Sequence, residues 1–135
     1  MNTLEYFKAR LDATVSPMDV QKMLAADPGS VCILDVRNGT ASLLEKKIKG
    51  AVEIPQAQIE KRYTELPKDK LIVVYCWDTW CSLAAKAAVF LLEKGFKVKE
   101  LYGGTMAWNT LKLPLQPVSG FTSKRESNSP NRLIR

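Results

Sequence analysis

The 135-residue chain contains no histidine. That absence removes Cys–His and Ser–His nucleophile pairs and every zinc site that needs imidazole. Aromatic residues make up only 8% of the chain. No apolar run approaches the roughly 20 residues of a membrane-spanning helix. The opening MNTLEYFKAR lacks a basic stretch followed by an apolar one, so it does not read as a secretory signal. The expected compartment is the cytoplasm, with no membrane partner. In that compartment the three cysteines are expected to be reduced thiols rather than a disulfide framework.

What is present suits one domain. The length is near the commonest domain size. Hydrophobic residues at 46% are enough for one core, and charged residues at 25% argue against wholesale disorder. The formal charge is +6. Part of the excess sits in SKRESNSPNRLIR, with four basic residues and one acid. No stripe of Lys and Arg interleaved with aromatics marks the rest, so nucleic acid is not an expected partner and the tail reads as solvated chain. Residues 1–117 are expected to form the domain, with 1–14 as a helical extension, and 118–135 a basic, flexible tail.

Along the chain, SPMDVQKMLAADPG reads as a helix, with Ser16 as cap, Pro17 at the first position and Asp19 at the positive end. The first dozen residues form a further helix candidate, with Leu4, Phe7 and Leu11 on one face. VCILDV (31–36) and LIVVY (71–75) are short apolar runs, consistent with strands buried on both faces. Cys32 lies inside the first and reads as a small buried hydrophobe. ASLLEKK and QAQIEKRYTEL are helix candidates, and AVEI and FKV short strands. From Ser82, Ala84, Ala87, Ala88 and Leu91 recur at one-face spacing, and Lys94 and Gly95 end that helix. Gly103-Gly104 breaks the chain, and TMAWNTL reads as a last helix. Strands alternating with helices predict an α/β domain around a mostly parallel central sheet flanked by helices.

The stretch VYCWDTWCS (74–82) carries the chemistry. Cys76 stands where a buried strand ends and a helix soon begins, the place where open parallel sheets build their sites. Helix-start amides and the helix dipole favour a thiolate there without imidazole. An inert, buried Cys76 is the competing reading.

The segment YCWDTWCSLAAKAAVFLLEKGFKVKELYGGTMAW resembles the active-site half of a rhodanese, a sulfurtransferase domain. Cys76, Ser82, Gly95-Phe96, Gly103-Gly104 and Ala107-Trp108 fall in the family's order. ILDVR (33–37) and IKGAVEIP (48–55) resemble two further segments, so the likeness runs over about residues 15–115. The departures are Lys46 and Lys47 for the usual Gly-His, Thr79 for Gly, and Cys81 for Arg. A β-branched Thr79 would be strained at positive φ, so the loop backbone is expected to differ from the family's. The resemblance implies transfer of a sulfane sulfur from a donor such as thiosulfate, through a Cys76 persulfide, to a thiol or cyanide acceptor, with a sulfur-relay protein as a candidate partner. No cofactor is expected, and no metal, because two nearby thiolates leave two ligands to find with no histidine available. Trp77, Asp78, Thr79, Trp80, Cys81 and Ser82 would form the loop and its anion cradle. Cys81 is also a candidate resolving thiol. Asp35 and Arg37 are supporting candidates, as an internal ion pair or as a substrate contact.

Two rivals lack parts. An oxyanion-handling phosphatase or arsenate reductase wants Arg where Ser82 stands, and a thioredoxin-like pair has two intervening residues, not four. The other class of function kept open is a weak or inactive rhodanese-like binding or regulatory module.

Overall fold

The computed structural model describes residues 1–121; most of the expected tail, 122–135, lies outside the described residues. Helix α1 (Thr3–Ala13) is capped by Asn2, whose side chain accepts from the Glu5 amide. None of its residues is buried, so the Leu4, Phe7 and Leu11 face stays in solvent. Helix α2 (Pro17–Ala26) starts as its sequence indicates: the Ser16 side chain accepts from the Asp19 amide and Pro17 takes the first turn.

The central sheet holds β1 (Thr14–Val15), β2 (Val31–Asp35), β4 (Val52–Glu53), β5 (Leu71–Tyr75) and β6 (Lys97–Leu101). Their order is β1-β6-β5-β2-β4, and every pairing is parallel. Strands β3 (Lys46–Ile48) and β7 (Leu115–Pro117) form a separate antiparallel pair. The expected α/β domain with a mostly parallel sheet is what the chain forms.

Strand alternation divides the core into two layers. Cys32, Leu34, Ile72 and Val74 face Ile59 of α4 (Ile59–Arg62) and Ala84, Ala87 and Leu91 of α5 (Leu83–Glu93). Val31, Ile33, Val73 and Tyr75 point to the opposite layer, with Val20 of α2 and Trp108 of α6 (Gly104–Thr110). Burying both faces explains why β2 and β5 read as unbroken apolar runs. Among the described residues no helix is long and apolar enough to cross a membrane.

Three expectations are corrected. The ASLLEKK helix, α3, covers only Ala41–Leu44. Glu45 takes a left-handed φ of 59° and turns Lys46 and Lys47 into β3. QAQIEKRYTEL is no single helix: α4 lies between two 3₁₀ turns. Gln58 and Arg62, with ψ of 2° and 0°, sit off helical geometry at the joins. The packed chain also continues past residue 117. Val118 is buried and its amide donates to the Glu45 carbonyl, while the Ser119 amide and hydroxyl both donate to Glu53.

Candidate active site

Cys76 follows β5 directly and keeps its alternation, so it lies with Ile72 and Val74 in the layer beneath α5. It is 2% exposed. The chain then turns through Trp77–Ser82 into α5. The Lys86 amide donates to the Ser82 carbonyl, but the Ser82 side chain makes no capping hydrogen bond.

The loop closes on itself. The Thr79 amide donates to Asp78 Oδ1 at 2.6 Å, and the Cys81 amide to the Asp78 carbonyl at 3.1 Å. Among the described residues only Glu45 and Lys112 combine a side chain with positive φ, so Thr79 is accommodated without left-handed strain. This turn brings the Cα atoms of Cys76 and Cys81 to 6.3 Å, and the two sulfurs form a disulfide. The expectation of three reduced thiols is thereby corrected: a turn over Asp78–Cys81 places two of them within bridging range. Cys32 remains a free, buried thiol. Burial pushes its pKa up, and Lys70 partly opposes that.

The start of α6 holds the base of the loop. The Thr105 amide donates to the Cys76 carbonyl at 3.0 Å and the Met106 amide to the Trp77 carbonyl at 2.9 Å. The contact needs glycine. Gly104 has φ +59°, and a Cβ there would lie 2.6 Å from the Cys76 carbonyl oxygen.

A buried polar network stands beside the loop. Arg37 Nη2 meets Asp35 Oδ2 at 2.7 Å, with the side chains 1% and 2% exposed. Arg37 Nε adds bonds to both carboxylate oxygens, and Nη2 also reaches the Lys46 carbonyl. Tyr75 donates to Asp35 Oδ2 at 2.9 Å and accepts from the Ile48 amide at 3.0 Å. Burial disfavours the Arg37 charge, but hydrogen bonding and charge from Asp35 outweigh it and hold its pKa up. Burial, reinforced by the Asp35 charge, raises the Tyr75 pKa far above its ordinary value. Arg37 Nε and Nη2 spend their hydrogen bonds inside the protein. Its free face stacks on Trp77 at 4.6 Å. The two side chains line a cleft of about 370 Å³ with Leu44, Thr105 and Met106.

The predicted residues thus divide. Cys76 and Cys81 come together, and Asp78 and Thr79 shape the turn between them. Trp77 walls the cleft. Trp80 is 73% exposed, and Ser82 is a plain helix entry. Tyr75, Thr105 and Met106 escaped the sequence reading. The Gly103-Gly104 pair was the one available hint of a close approach. Nothing in the sequence signals that the Tyr75 hydroxyl bridges Asp35 and Ile48.

Residues 16–111 match the family model described as Rhodanese-like domain. A sulfurtransferase of Allochromatium vinosum is 31% identical over 96 residues, covering 70% of this chain and 87% of that protein. An HTH-type transcriptional regulator of Mycobacterium tuberculosis is 32% identical over 111 residues, covering 79% of this chain. The matched region spans 49% of that regulator's length. Among solved structures, a full-length protein from Lactobacillus plantarum superposes with a TM-score of 0.81 at 30% identity, covering 85% of this chain and 96% of that one. With a parallel sheet of this order, a cysteine loop at the end of its central strand and these matches, the chain belongs to the rhodanese-like domain family.

Proposed function

We propose that the protein is a sulfurtransferase that carries a sulfane sulfur on Cys76 between a donor such as thiosulfate and a thiophilic acceptor. The observation that carries this reading is the position of Cys76, between the end of β5 and the start of α5, in a chain whose relative over most of its length is a sulfurtransferase. The Cys76 thiolate attacks the outer sulfur of thiosulfate. The sulfur–sulfur bond of the donor breaks, sulfite leaves with the electron pair, and a cysteine persulfide remains. A thiol or cyanide then takes the terminal sulfur. No general base is needed if the thiolate is already favoured. The dipole and free amides at the start of α5 supply that bias. The amides of Thr79 and Cys81 donate to Asp78, so in this loop conformation anion stabilisation falls to the other loop amides and to α5.

Cys76 in a disulfide is not a nucleophile, so turnover requires prior reduction. With pre-reduced Cys81→Ser protein, in which the persulfide has no neighbouring thiol to resolve it, thiosulfate should leave one extra sulfur by intact mass, and added cyanide should then yield thiocyanate. Cys76→Ser should lose both. An adduct that survives in Cys76→Ser would place the nucleophile elsewhere.

The regulator relative favours a second reading, a rhodanese-like binding module without turnover. Its signature is reduced protein that releases no sulfite from thiosulfate and gains no sulfur.

A further inference from the structure

We propose that Cys81 is a resolving thiol, so that the sulfur leaves as sulfide and the second half-reaction consumes a dithiol reductant. The proposal rests on the sulfurtransferase reading and adds the product and the class of co-substrate. Its basis is the Cys76–Cys81 bond, closed across a sequence separation of 5. The bond forms inside an intact site. Strand β5 runs through Tyr75, α5 starts at Leu83, and the loop base keeps its hydrogen bonds from Thr105 and Met106. The disulfide and the loop anchor therefore coexist.

The chemistry balances. Thiosulfate and the Cys76 thiolate give the persulfide and sulfite. The Cys81 thiolate then attacks the inner sulfur, which is Cys76 Sγ itself. A bond forms between the two cysteine sulfurs, the persulfide S–S bond breaks, and the terminal sulfur leaves as hydrosulfide with the electron pair. The sulfane sulfur is reduced by two electrons, and the two cysteines supply them. The product is the disulfide seen here. An external dithiol restores the thiols by exchange, becoming a disulfide itself. The net reaction turns thiosulfate and a dithiol into sulfite, sulfide and a disulfide.

Exposure decides how the cycle reopens. Cys76 is 2% exposed. Cys81 is half-buried, beside the exposed Trp80. An incoming thiol therefore meets Cys81 first, and Cys76 departs as the thiolate, which the start of α5 favours as a leaving group. The nucleophile is thus regenerated directly.

The test is a single turnover of the full chain. The protein is reduced, freed of reductant and mixed anaerobically with thiosulfate, without cyanide or thiol. Wild type should release one sulfite and one sulfide per chain and yield a Cys76–Cys81 linked peptide. Cys81→Ser and Cys81→Ala should both release sulfite, release no sulfide and retain the extra sulfur on Cys76. Wild type that keeps its persulfide and releases no sulfide would overturn the resolving role while leaving the transferase reading intact. No sulfite from any variant would remove both. Brief treatment of the oxidised protein with glutathione should place the mixed disulfide on Cys81; finding it on Cys76 contradicts the stated direction of attack.

Discussion

Gly104 lies against the main chain of Cys76: a Cβ at Gly104 would stand 2.6 Å from the Cys76 carbonyl oxygen and 2.8 Å from the Trp77 carbonyl carbon. These are backbone atoms, which cannot step aside as a side-chain tip can. The position also has φ +59°, where an alanine is strained. Gly104→Ala is expected to cost about 1–3 kcal/mol in urea unfolding. It should also slow persulfide formation, because the α6 amides that hold Cys76 and Trp77 must shift. An unchanged unfolding midpoint would show that α6 does not bear on the loop.

The Asp35–Arg37 pair is expected to dominate local stability. Asp35→Asn keeps the shape but leaves a buried guanidinium without its counter-charge, a loss of about 3–5 kcal/mol. Glu65→Gln, which removes the exposed partner of Arg62, should leave the midpoint essentially where it was. Urea unfolding of the two variants side by side checks the contrast.

Tyr75 gives a pH signature. Its folded-state pKa is raised by burial, whereas the unfolded phenol titrates near 10. Below that value both states are protonated and nothing changes. Above it the unfolded chain loses a proton that the folded chain keeps, so stability falls as pH rises. The slope from this group approaches about 1.4 kcal/mol per pH unit. Tyr75→Phe should lose that component of the slope. It should also lower stability at neutral pH by about 1–3 kcal/mol, because the Ile48 amide loses its buried acceptor. Equal slopes for the two proteins above pH 10 would refute the assignment.

Thiol counting separates the three cysteines. The oxidised native protein should show no fast-reacting thiol, since Cys32 is 8% exposed and its pKa is raised by burial. Mild reduction should expose two reactive thiols, with Cys81 modified before Cys76, and Cys32 should react only on unfolding. Loss of the short disulfide loop should lower stability by about 2 kcal/mol on the chain-entropy argument. Timed alkylation with peptide mapping, and urea curves with and without reductant, measure both.

How much of this was legible in the sequence follows from the range of each interaction. Strands β2 and β5 could be read because a strand buried on both faces has no polar side to interrupt the run. Helix α2 could be read because Ser16, Pro17 and Asp19 act within one turn of one another. The place of Cys76 was legible because it follows the last strand residue with nothing between. The end of α3 was not, because a left-handed Glu45 is an unfavourable local choice that propensity argues against.

The sequence by itself determined the class of fold, the strand-to-helix turn that carries Cys76, and the absence of any imidazole to serve it. Those are properties of contiguous residues, set by periodicity, capping and composition. Only the tertiary structure decided that Cys81 turns back onto Cys76, that Thr105 and Met106 hold the loop from another helix, and that Arg37 is committed inward. Arg37 is committed because the register of β2 on β5 sets Asp35 beside Tyr75, and Asp35 then accepts from both Tyr75 and Arg37. Such contacts join residues far apart in the chain. Their partners are chosen by which strands lie side by side, and no local pattern records that choice.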